Sequence, residues 1–63
     1  MKSNLTNPIA RLDLIAEIAI AIAQTQGFNY QGVNILESAK VSPRCAMFVR
    51  MAEAALNVVE KHL

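Results

Sequence analysis

The chain has 63 residues, 54% of them hydrophobic, and a formal net charge of +1. That length allows one small domain at most. Six Lys/Arg against five Asp/Glu exclude bulk electrostatic capture of nucleic acid, and the apolar fraction excludes disorder. At this size a single core rarely supplies more than ~3–5 kcal/mol, and small chains usually carry a staple. Cys45 is the only cysteine and His62 the only histidine, which rules out an intrachain disulfide and argues against a Cys/His zinc site within one chain. Oligomerisation is the staple that remains.

Residues Met1 to Thr6 read as a polar lead-in. Lys2, an apolar run and Ala21-Ile22-Ala23 imitate a signal peptide, but Asp13 and Glu17 interrupt the run and cleavage would leave about half a domain. The uncharged stretch from Ile18 to Ala23 is far too short to span a bilayer. With a lone thiol suited to a reducing compartment, the expectation is a cytoplasmic chain without a membrane association. Asn7-Pro8 is a helix start, because Asn is a preferred N-cap and Pro suits the first helical position. The helix is predicted over residues 8–26, with Gly27 stopping it in a left-handed conformation. The alternation from Glu17 to Ala23 has the period of a strand. Alanine is poor in strands, however, and the flanks carry capping signals, so helix prevails. Asn34 and Glu37 resemble a capping box and predict a short helix over 34–40. Ser42-Pro43 repeats the first device and opens a helix over 43–62.

The fold class expected is all-α: a helical hairpin of two long helices with a short helical turn in the connector. Asp13, Glu17, Ala21 and Gln24 mark the wet face of the first helix, and Arg50, Glu53, Asn57, Glu60 and Lys61 that of the last. Opposite these lie a bulky stripe, Leu14, Ile15, Ile18 and Ile22, and a smaller one, Leu12, Ala16, Ala19 and Ala23; Ile9 and Ile20 fall near the polar boundary. Val49, Ala52, Leu56, Val59 and Leu63 follow the 3-4 spacing of a coiled-coil seam. The expected core is Leu12, Ile15, Ile18, Ala19, Ile22, Phe48, Ala52, Ala55, Leu56 and Val59. The apolar arc of the last helix spans roughly 200°, well beyond the ~100° that a surface helix needs. The surplus predicts a homo-oligomeric helical bundle, a homodimer or higher, with Ile20, Cys45, Met47, Val49, Met51, Leu56, Val58 and Leu63 at the interface between chains.

Chemistry has little to work with. No HExxH, nucleophile elbow, phosphate-cradling glycine loop or CxxC is present, so no catalytic residue, metal ligand or cofactor is expected. Cys45 reads as a buried small hydrophobe and His62 as a solvated residue near a helix C-terminus. Arg11 continues the stripe Ile15, Ile18, Ile22; it either snorkels to water or pairs with an acid of another chain or an anionic ligand. Lys40, Ser42, Arg44 and Arg50 gather around a helix start, where free N–H groups favour anions, with Phe28 and Tyr30 near enough to stack on a ring. Arg11, Tyr30, Lys40, Ser42, Arg44 and Arg50 are thus the candidate anion- or nucleotide-binding residues.

Leu36 to Arg44 resembles the turn of helix-turn-helix repressors, which implies DNA binding through the last helix. Lys40 stands where such turns favour glycine, Leu36 where they favour alanine, and Cys45, Met47 and Phe48 occupy a face that a groove reader needs polar. The run Phe48-Val49-Arg50-Met51-Ala52-Glu53-Ala54-Ala55-Leu56 looks like the alanine-rich endings of short uncharacterised proteins of bacteriophages and mobile elements. That resemblance implies a small accessory or host-directed protein and transfers no functional residue. The leading expectation is a non-enzymatic, homo-oligomeric interaction or regulatory protein with itself and a protein partner as binding partners. An anion- or nucleotide-sequestering oligomer and a DNA-binding protein are the alternatives.

Overall fold

The computed structural model of the protein describes the backbone of residues 8–63 and the side chains from Ala10 onward. Asn7, expected to cap the first helix, and the side chain of Ile9 lie outside the described residues. Helix α1 spans Pro8–Thr25, so the Ile/Ala alternation is helical. Its end is set by local chemistry. Gly27 sits at φ +87°, a left-handed conformation that a Cβ disfavours. That turn lets Phe28 N–H donate to Ala23 O at 3.0 Å and Gly27 N–H to Gln24 O at 3.1 Å, the paired bonds of a Schellman stop.

Helix α2 is a single turn, Ile35–Ser38, shorter than the 34–40 expected. Asn34 caps it by accepting from Glu37 N–H at 3.2 Å, which is half of the expected capping box. The reciprocal half gives way because Lys40 Nζ takes the Glu37 carboxylate at 2.8 Å. Helix α3 spans Pro43–Lys61. Ser42 accepts from Cys45 N–H at 3.3 Å, while its own carbonyl takes Ala46 N–H at 3.0 Å. Replacing Ser42 by Ala removes this cap; an expected loss of about 0.5–2 kcal/mol is readable as a lowered thermal midpoint.

The two long helices pack along rows of fourth residues. On α1 the buried positions are Ile15, Ala19 and Ala23, and on α3 they are Phe48, Ala52 and Leu56. Both rows advance by four, unlike the alternating 3-4 spacing of a coiled-coil seam. Extended by one step, they end at Arg11 and Glu60, and these two side chains meet at 3.0 Å. Counted along the antiparallel rows from that contact, Ile15 comes level with Leu56, Ala19 with Ala52 and Ala23 with Phe48. Two alanines at mid-height let the backbones approach closely, and the largest buried side chain faces a methyl group.

This packing corrects the expected core. Leu12 and Val59 are 51% and 49% exposed, and Ala55 is exposed as well. A row of fourth residues drifts about 40° per step around its helix, so at the open end of the hairpin contact has passed from the heptad seam to Arg11 and Glu60. Ile18 and Ile22 are half-buried. Ala23, Ile35 and Cys45 complete the core instead. Ile35 is fully buried, so the one-turn α2 acts as a plug carrying a single large side chain.

Candidate interaction surface

The rows that bury the core also define what lies beside them. In two antiparallel helices, the residue before each contact position points to one flank of the hairpin and the residue after it to the other, because each step turns 100°. The preceding positions are Leu14, Ile18 and Ile22 on α1, and Met47, Met51, Ala55 and Val59 on α3. Every one is apolar. The following positions on α3 include Glu53, Asn57 and Lys61, which are exposed and polar, and Val49, which is half-buried.

Burial separates the two flanks further. At the closed end, Cys45 is 4% exposed, so the connector covers the flank that Cys45 shares with Val49. The other flank stays open: Met47 and Met51 are 42% and 38% exposed, Ala55 is exposed, and Leu14, Ile18 and Ile22 are half-buried. The result is one continuous apolar face across both long helices. Val58 and Ala54, also exposed, extend it round the back of α3, and Leu63 is exposed beyond its last turn.

Of the expected interface residues, Met47, Met51, Val58 and Leu63 are thus exposed, and Ile20 and Val49 are half-buried against the core. Cys45 and Leu56 are corrected: both are buried inside the chain, Leu56 because it belongs to the i,i+4 contact row. Ala55 and Val59, expected in the core, belong to the open face instead. The sequence signal that finds them is the apolar row 47-51-55-59, one residue ahead of the buried one.

All of the candidate anion-binding residues except Arg50 are held by other parts of the chain. Arg11 Nε donates to Glu60 at 3.0 Å and its Nη2 to Glu60 at 3.2 Å and to Asn57 at 2.7 Å. It therefore neither snorkels alone nor waits for another chain. The hydrogen bond to Glu60 and the carboxylate's charge hold the guanidinium above its ordinary pKa, against opposing desolvation. Lys40 is likewise raised, by its hydrogen bond and charge contact with Glu37. Ser42 uses its oxygen as a cap. Arg44 lies over the Phe28 ring at 4.4 Å from the centroid, an attractive placement for a cation. Phe28 in turn stacks on Tyr30 at 6.3 Å, and both tilt against Phe48 at 6.0 and 6.2 Å. The aromatics thus close the end of the core, and Arg44 caps that cluster from outside. Arg50 is exposed on the back of α3.

No protein-family model, curated protein or solved structure matches this chain. Its surfaces must therefore be weighed on their chemistry alone. Among the described residues no three His, Cys, Asp or Glu side chains gather as a metal site, and no helix is long and apolar enough to cross a membrane. Cys45 is buried, and His62 stands 17 residues along the same helix, roughly 25 Å away, so the two form no nucleophile–base pair. An open groove of about 170 Å³ is lined by Glu17, Ile20, Ala21, Gln24 and Gln31, on the flank away from the apolar face. Its polar groups are two carboxamides and one exposed carboxylate.

Among the described residues, the contact of Arg11 with Glu60 and Asn57 forms a polar clasp at the open end of the hairpin. Arg11→Met is expected to lower the thermal midpoint, and Glu60→Gln is expected to add little in that background, since the two changes remove one interaction. The effect of Arg11→Met should shrink in high salt, because the pair is half-exposed and therefore screened. Additive losses from the two substitutions would show that the clasp is not shared.

Proposed function

We propose that this chain is a non-enzymatic interaction protein that works as a homo-oligomer through the open apolar face of α1 and α3. The observation that carries this reading is the pair of uncharged rows, Leu14-Ile18-Ile22 and Met47-Met51-Ala55-Val59, left without a cover by the chain's own connector. Each large side chain moved from water into such an interface contributes ~1.5–3 kcal/mol before ordering costs. Three of them are comparable with the ~3–5 kcal/mol expected of a core this small, so assembly adds to the stability of the folded chain by mass action. Arg11 and Lys40 are paired within the chain and Arg44 rests on Phe28, which leaves Arg50 as the exposed candidate cation and favours the interaction reading over those two. We place it as an accessory protein of a bacteriophage or mobile element, on the resemblance carried by residues 48–56.

The test is the native mass of the wild-type protein beside Met51→Glu. The wild type is expected as an oligomer. Met51→Glu is expected as a helical monomer, because its charge is free to stay in water once the chains separate but is buried without a partner if they do not. A wild-type monomer at micromolar concentration would overturn the reading.

A further inference from the structure

We propose that the open face is filled by a second copy of this chain, with α3 packed antiparallel against α3 of that copy about a two-fold axis level with residue 53. This rests on the oligomeric reading above and specifies its geometry. The first observation is the order of sizes along the exposed row: Met47, Met51, Ala55, Val59. In an antiparallel pair centred at 53, Met51 stands opposite Ala55 of the second copy and Met47 opposite Val59. Every contact is then large against small, the arrangement that interdigitates without voids. A parallel pair in register opposes Met to Met and Ala to Ala, which overpacks one level and leaves a gap at another.

The second observation is charge. The row and the adjoining Leu14 and Ile18 carry none, Glu53 and Lys61 lie on the opposite flank, and Arg50 stands only at the border of the face, so a charged partner finds no counter-charge within the row. A second copy presents the same uncharged face, and antiparallel helices also align their dipoles favourably. The third is area. A body of 35 × 19 × 17 Å with 4580 Å² of accessible surface offers on one flank an area on the order of the ~800 Å² per partner that standard interfaces bury. Because the same patch meets itself, the contact closes at two copies.

Cysteine cross-linking decides the register. Met51→Cys and Ala55→Cys are made separately, both at exposed positions, with native Cys45 left buried in each and the wild type as the blank. Ala21→Cys, on the outer face of α1, reports random collision. Each variant is treated with a short bis-maleimide alone and in an exchanged equimolar mixture. The expected result is cross-linking several-fold faster in the mixture than in either variant alone. Fastest linkage of Met51→Cys to itself would overturn the antiparallel register while leaving the oligomer standing. Rates no higher than Ala21→Cys, together with a monomeric mass, would overturn both proposals. Such rates with an oligomeric mass would move the second copy to a different face and overturn this one.

Discussion

Leu56→Glu is expected to abolish folding of the individual chain, not merely to separate chains. Leu56 is 2% exposed and stands level with Ile15 in the contact between α1 and α3, one step inside the open end. The cation nearest such a carboxylate is Arg11, one turn further along the rows, which is already committed to Glu60 and Asn57, so the new charge could pair only by breaking that clasp. The effective penalty for an unpaired buried ion is several kcal/mol, and a core of this size rarely supplies more than ~3–5 kcal/mol in total. Far-UV circular dichroism at 25 °C should therefore show a loss of most helical signal. The comparison with Met51→Glu gives the result its meaning. Both substitutions introduce the same charge into the same helix, five residues apart, yet one position faces the chain's own core and the other faces outward. Helix lost in the first and kept in the second is the outcome that i,i+4 packing requires. A helical, folded Leu56→Glu would return Leu56 to a surface and restore the heptad seam as the organising pattern of α3.

The difference between those two patterns marks the limit of what the residues alone disclose. Capping was legible because it is local: Ser42-Pro43, Asn34 and Gly27 each act on backbone groups within five residues, and each stands where expected. The wet faces were legible too, since Asp13, Glu17, Ala21 and Gln24 are all exposed. The contact rows were not, because Ala52 and Leu56 belong equally to a 3-4 seam and to a row of fourth residues. Only the next position separates them: Val59 continues the seam and Glu60 the row. An apolar residue naturally wins that choice until the partner is known. Here the partner of Glu60 is Arg11, 49 residues earlier, and an arginine that continues an apolar stripe is as easily assigned to water or to another chain. Once that one pair is placed, Leu12, Ala55 and Val59 leave the core and the open face appears. The candidate ligand residues failed for a related reason. Lys40 and Arg44 were grouped by their nearness to a helix start, whereas Glu37, three residues back, and the Phe28 ring, brought round by the Schellman turn, already occupy them.

That turn also gives Phe48 its importance, and Phe48→Ala is the second substitution with a large expected effect. Phe48 is fully buried and its ring is the common neighbour of Phe28 and Tyr30. Opposite it on α1 stands only the methyl of Ala23, so α1 offers no large side chain to fill the space that truncation leaves, and Phe28 and Tyr30 lose the ring they rest on. Substitutions of this kind cost about 3–5 kcal/mol, from lost transfer energy and a cavity that relaxes incompletely. The loss falls first on the connector, because residues 28–42 are fastened to the long helices by Ile35 and by rings that rest on Phe48. Hydrogen exchange should therefore accelerate at the amides of Phe28 to Val41 before it does so at Ala19 or Ala52, and the thermal midpoint should fall by well over 10 °C, at about 4–8 °C per kcal/mol for a domain of this size. As the folded chains pair, that midpoint will also rise with protein concentration, since association stabilises the native state by mass action. Uniform acceleration of exchange across all segments would instead mean that α2 and the aromatic turn are one cooperative unit with the hairpin, and that the plug is as much a condition of the open face as the helices that form it.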